Sequence, residues 1–241
     1  MPGTRLRTLS VLTVVVLVGG FALAAFAAPM DADQGFMQKI FYLHVPLAIV
    51  ALGGFIFGGV MGIQHLRTGD PDYDLKSYVA IHLSLILGIG TLITGAIWAR
   101  ASWGKWWVWD EPTLVSFLII FLLYCTYQPL RFSIEDRDRQ SRYASVFTIT
   151  AGVFTPLNFL AVRLADPLIH PRTLDSTDNL PGAMRWAFLA CLLGMALLYV
   201  TLWHFEIAHK QARARVRSLR RRLGGEEGVR GRSAAPEPTL S

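Results

Sequence analysis

The 241 residues are 53% hydrophobic and only 17% charged, below the roughly 25% charge of a soluble domain, which excludes an ordinary soluble fold and leaves an integral membrane protein. The net charge of +6 does not indicate nucleic acid, because seven of the 23 basic residues lie between Lys210 and Arg222, directly after the last apolar block, where membrane proteins carry cytoplasmic positive charge. Cys125 and Cys191 sit singly in apolar blocks with no CxxC, zinc spacing or CxxCH, and are read as small buried hydrophobes rather than reactive thiols.

Six apolar blocks follow one another at residues 9–28, 41–64, 78–98, 113–130, 144–164 and 183–205. Each is about 18 residues or more, long enough to span a bilayer as a helix. The expected fold is therefore all-α, a bundle of six transmembrane helices. The first block ends in small residues, Ala24 to Ala28, that resemble a signal cleavage site. Its apolar run of about 20 residues exceeds the roughly 7–15 of a signal core, which predicts a retained helix. The second block opens with FYLHVP, and a tryptophan-rich stretch follows the third. After Arg222 the chain turns Gly-, Glu-, Ala- and Pro-rich, the composition of a disordered tail. The expected organisation is one membrane domain over 1–207, with a Trp-rich amphipathic segment at 98–112, and a basic, then disordered, tail over 208–241.

With the N-terminus inside, segments 1–8, 65–77, 131–143 and 206–241 hold 17 of the 23 Lys and Arg residues. Lys39, Arg100, Lys105, Arg163, Arg172 and Arg185 are left outside. The positive-inside rule then predicts both termini in the cytoplasm and the tryptophan stretch on the outer face.

That stretch is Trp103-Gly104-Lys105-Trp106-Trp107-Val108-Trp109-Asp110, with Trp98 just upstream, so five of seven tryptophans fall within twelve positions. An aromatic belt at the membrane interface needs only one or two per helix end. Trp103, Trp107 and Asp110 are spaced i, i+4, i+7, which predicts one face of a helix lying along the membrane surface. Trp106 and Trp109 form a neighbouring face. Such a surface suits a large, flat, apolar ligand, because indoles give wide contact area and stack on π systems. Gly104 would allow close approach. Arg100 and Lys105 are candidates to meet carboxylates on the ligand's rim. Asp110 has two readings: a cap for the fourth helix, or a hydrogen-bond acceptor for an indole or loop amide.

Of six histidines, His65, His204 and His209 fall at cytoplasmic helix ends and read as solvated or headgroup-facing. His82 lies some 20 residues from the tryptophans, about 30 Å along a helix, and reads as an interhelical hydrogen-bonding residue. His44, near the outer start of block two, and His170, in the outer loop between blocks five and six, share the tryptophan side. Two neutral imidazoles on opposite sides are a standard way to hold haem iron. Arg163 and Arg172 bracket His170 and are further candidates for the propionates.

Trp103-Gly104-x-x-Trp107-x-Trp109-Asp110 resembles the WWD signature of the haem-handling proteins of cytochrome c maturation. FYLHVP, the chain's size and its six helices resemble the CcmC branch, the haem exporter protein C group, over roughly residues 8–207. The segment VRLADPLIHP departs from that branch in lacking tryptophans just before the histidine. The resemblance implies an extracytoplasmic haem platform formed by Trp103, Gly104, Trp106, Trp107, Trp109 and Asp110, with His44 and His170 as axial ligands of a non-covalent haem b carried as cargo. It further implies a bacterial inner-membrane location and delivery to a periplasmic chaperone of the CcmE type. ATP-binding-cassette subunits of the CcmA and CcmB type and a small membrane partner of the CcmD type would take part. No enzyme chemistry of its own is expected. The competing readings are a b-type electron-transfer cytochrome, which would want facing histidine pairs inside the bundle, and a small-molecule permease, which would want ionisable groups at mid-membrane.

Overall fold

The computed structural model describes residues 3–30, 32, 34–171, 180 and 182–233. Its elements are helical: α1 (Gly3–Ala22), running into a π-helical turn at Leu23–Ala27; α2 (Phe41–Thr68), preceded by a 3-10 turn at Phe36–Ile40; α3 (Pro71–Trp103); α4 (Pro112–Cys125); α5 (Tyr127–Phe132); α6 (Arg137–Leu164); and α7 (Gly182–Ser233). Among the described residues, six helical stretches are long and apolar enough to cross a membrane, α4 and α5 together forming one of them.

Local chemistry sets the boundaries. Gly69, at φ +70°, closes α2 by donating its N–H to the His65 carbonyl, the left-handed stop that glycine makes without a Cβ penalty. Asp70 then caps α3, accepting from the Asp72 N–H at 2.9 Å, with Pro71 in the first helical turn. The third helix thus begins seven residues before the apolar block does. The fourth block is broken at Thr126, four residues before Leu130 and three before Pro129. Pro129 has no N–H to offer the Cys125 carbonyl and crowds it, so the chain tightens there before resuming as α5. Cys125 faces outward from this helix, against the buried position expected of it, while Cys191 is buried.

α2 is the axis of the bundle, packed on α3, α6 and α7. Glycines permit the close approach: a Cβ on Gly59 would lie 2.9 Å from the Thr148 carbonyl oxygen of α6, and one on Gly58 would lie 2.8 Å from Ile81 of α3. Small residues serve membrane helices in this way, since packing rather than water exclusion holds them together. α1 rests on α7 by the same device, with Gly194 against Leu17 and a Thr13–Thr201 hydroxyl pair at 2.7 Å.

The two ends of the bundle differ in chemistry. At the basic end, Arg131 binds Asp74 through two bonds of 2.7 and 2.6 Å, and Glu206 takes both His82 at 3.0 Å and Lys210 at 3.3 Å. His65, expected to be solvated, is instead buried there and bonded to the Ser145 hydroxyl of α6 at 2.8 Å. α7 continues well past the expected end of its span at Phe205, with helical backbone through Ser233. Residues 206–223 are rich in Arg, Ala and Leu, all good helix formers, so the helix does not stop where the apolar run does. The tryptophan end carries the candidate site.

Candidate functional site

The tryptophan stretch is not a helix. Trp103 is the last residue of α3, and Gly104 ends that helix at φ +71° with its N–H on the Arg100 carbonyl. Residues 104–111 run as an irregular strap to α4, so the expected face of Trp103, Trp107 and Asp110 does not form. Glycine is needed at 104 for the left-handed turn, and no other described part of the protein lies within 4 Å of a Cβ built there. Arg100 is committed locally, its guanidinium donating to the Gly104 carbonyl. Lys105 and Asp110 are exposed. The cap of α4 is Glu111, not Asp110: its carboxylate accepts the Thr113 N–H at 3.3 Å.

The strap divides the tryptophans. Trp103 and Trp107 turn inward and line a cleft, whereas Trp106 and Trp109 are 61% and 71% exposed and face away from it. Trp107 meets Trp109 edge-on at 5.9 Å, so Trp109 backs Trp107 from outside. The Trp107 indole N–H is buried without a hydrogen-bond partner among the described residues. A buried donor left unpaired is costly and suits a site completed by a ligand.

The cleft lies between α2, α3, α4 and α6 and encloses about 1430 Å³ of empty space, its open mouth included. Its walls extend from Trp103 to Thr91 on α3, about 18 Å down the helix at 1.5 Å per residue. They are mainly apolar, with Val45, Ile49, Leu114 and Phe117 among them.

Both candidate histidines open into this cleft. His44 is carried by the first turn of α2 and fixed from α3: its Nδ1 lies 3.1 Å from the Thr91 carbonyl and 3.0 Å from the Thr94 hydroxyl. Nδ1 donating to the carbonyl leaves Nε2 unprotonated, with no hydrogen bond to a described residue and available as a ligand. Trp98 packs edge-on to His44 at 5.9 Å and is itself held by its N–H on Gln34 at 2.8 Å. Gly95 makes room for the ring, since a Cβ there would lie 2.8 Å from His44 Cε1. Gly95→Ala should therefore push the imidazole out of register and weaken ligand retention about tenfold or more, at little cost in folding. Measuring ligand affinity beside thermal stability in that variant checks the point.

His170 comes from the loop after α6 and meets Trp103 edge-on at 6.2 Å. Glu111 fixes this loop. The carboxylate is fully buried, and its Oε2 accepts the consecutive N–H groups of Leu168, Ile169 and His170 at 3.0, 2.8 and 3.1 Å. Burial pushes the Glu111 carboxyl up, but these backbone donors and Thr113 outweigh it and hold the group below the ordinary carboxylate range. Sequence reasoning passed over Glu111 in favour of its neighbour Asp110. The available signal was Pro112, which marks the residue before it as a helix cap.

Of the other candidates, Arg163 lines the cleft, with its guanidinium 4.8 Å from the Phe159 ring centroid. Arg172 lies outside the described residues. His82 stays at the other end of the bundle, bound to Glu206 as an interhelical pair. The structure thus brings His44, His170, Trp103, Trp107 and Arg163 to one cleft and leaves Trp106, Trp109, Lys105 and Asp110 on its outer surface.

The chain is similar to three bacterial proteins named heme exporter protein C. It is 33% identical to that of Bradyrhizobium diazoefficiens over 218 residues, covering 88% of this chain and 80% of the relative. The Paracoccus denitrificans protein is 30% identical over 86% of this chain and 85% of its own length, and the Escherichia coli K12 protein 29% identical over 80% and 78%. The family model described as CcmC, heme exporter protein C, matches residues 1–222, and the chain belongs to that family.

Proposed function

We propose that this protein binds haem in the cleft at the tryptophan end, between His44 and His170, and passes it to a periplasmic haem chaperone of the CcmE type. Membership of the family makes it a multi-pass membrane protein that handles haem for cytochrome c maturation rather than a conventional enzyme. The observation that carries the finer reading is the convergence of two imidazoles and two inward indoles on one apolar cleft. Haem, as non-covalent haem b, is the cargo this donor set fits: a wide apolar plane for Trp103 and Trp107, and an iron for two neutral imidazoles. His44 sits on a helix and is oriented by Thr91, which supports it as the fixed ligand. His170 sits on a loop, which supports it as the ligand that yields on transfer. Arg163, which lines the cleft, is assigned to a propionate, with Arg100, Lys105 and Arg172 as the further candidates, and Gly104, Trp106, Trp109 and Asp110 complete the platform from outside.

In this reading residues 1–207 are the haem-handling domain and 208–241 a cytoplasmic tail. Both termini are cytoplasmic and the cleft opens on the periplasmic side of the bacterial inner membrane, a reading that the distribution of basic residues supports. The transporter subunits of the CcmA and CcmB type and a small partner of the CcmD type are its expected companions. His82 is engaged by Glu206, which weighs against a cytochrome built on His82. Incubating the purified haem-loaded protein with an apo chaperone of this type should move haem to the chaperone, and the His44→Gly, His170→Gly double variant should have none to give. No movement from loaded wild type would remove the delivery step. For sidedness, Lys105→Cys in a Cys125→Ala, Cys191→Ala background should react with an impermeant thiol reagent added to whole cells after outer-membrane permeabilisation, and Glu135→Cys should not. The opposite pattern would invert the topology.

A further inference from the structure

The Glu111 carboxylate joins two parts of the site that the chain separates widely. Glu111 is the last residue of the tryptophan strap, four residues after Trp107, and its Oε1 anchors the strap to the start of α4 by accepting the Thr113 N–H. Its other oxygen gathers three successive N–H groups, of Leu168, Ile169 and His170, in the loop after α6. A concave row of backbone N–H groups is an anion-binding nest, and here the anion is a side chain of the protein itself. Each bond is charge-assisted and, with the carboxylate fully buried, shielded from water. Asp110 is exposed and makes no such contact.

We infer that Glu111 is a positioning residue for haem coordination: it fixes the His170 loop to the tryptophan strap, so that ligand and platform hold and release the cargo as one unit. This rests on the reading of His170 as a haem ligand. Glutamine cannot replace it. If the amide oxygen takes the nest, the NH₂ confronts the Thr113 N–H; if the NH₂ takes the nest, three donors face a fourth.

The full-length protein, loaded with haem in detergent, provides the test, read by absorption spectrum, spin state and rate of haem loss to excess apomyoglobin. Glu111→Gln should convert part of the haem from six- to five-coordinate and speed its loss roughly 10- to 100-fold, the range for partners that orient a metal ligand. Added imidazole should restore the six-coordinate spectrum. In a His170→Gly background, Glu111→Gln should change neither the imidazole-rescued spectrum nor the rate of loss, because the ligand it positions is gone. A merely structural residue would worsen retention in both backgrounds, and that result would overturn the inference. So would a wild-type spectrum and rate for Glu111→Gln when His170→Gly is altered. If Glu111→Gln does not fold, Glu111→Asp is read instead; its shorter carboxylate should give an intermediate, imidazole-responsive loosening, and wild-type behaviour there is equally contrary. A His170→Gly protein with an unchanged spectrum would refute the ligand assignment itself, an outcome distinct from all of these.

Discussion

The His44→Gly protein should lose its native haem spectrum and regain it with added imidazole. Glycine removes the ring and leaves a space the free base can enter, while Thr91, Thr94 and Gly95 remain to line it. His170→Gly should show the same rescue but a smaller initial loss, because loop groups or water can approach an iron still held from α2. His82→Ala supplies the control. Its pairing with Glu206 is partly exposed, 37% at the His82 side chain, and lies at the far end of the bundle, so stability should fall by about 1 kcal/mol or less while the haem spectrum stays unchanged.

The second large effect is expected from the inward tryptophans. An aromatic stacking contact is worth about 0.5–1.5 kcal/mol beyond the area it buries. With the lost apolar area at about 25 cal/mol per Å², each Trp→Ala at 103 or 107 should cost about 2 kcal/mol. The double variant then loses about 4 kcal/mol, close to a thousandfold in affinity. Single Trp→Phe changes keep a ring in place and should weaken retention only a few-fold. Trp106→Ala with Trp109→Ala should leave haem affinity within a few-fold of wild type, because neither ring reaches the cleft. Titrating haem into the two double variants under equal conditions separates an inward platform from a general aromatic belt: equal losses would favour the belt.

The spans were legible because twenty apolar residues in a row have few other uses, and the charges beside them are strongly asymmetric. That His44 and His170 lie at the same end of the bundle, where both line one cleft, was legible from the helix ends each occupies. The path of the tryptophan strap was not. An i, i+4, i+7 spacing suggested a helix, but Gly104 had already ended α3 and Glu111-Pro112 was about to begin α4, and these stop and start signals outrank a short periodicity. His65 was misread because position at a helix end says nothing of a neighbour such as Ser145 from another helix. Glu111 was missed for the same reason, since its three main partners lie 57 to 59 residues away.

A density map of the purified, haem-loaded protein by electron cryomicroscopy tests the central claim most directly. The account predicts one planar density in the cleft between α2, α3, α4 and α6, flanked by Trp103 and Trp107 and joined at its centre to His44 on one side and His170 on the other. A haem found instead beside His82 and Glu206 at the basic end, with the tryptophan cleft empty, would contradict it.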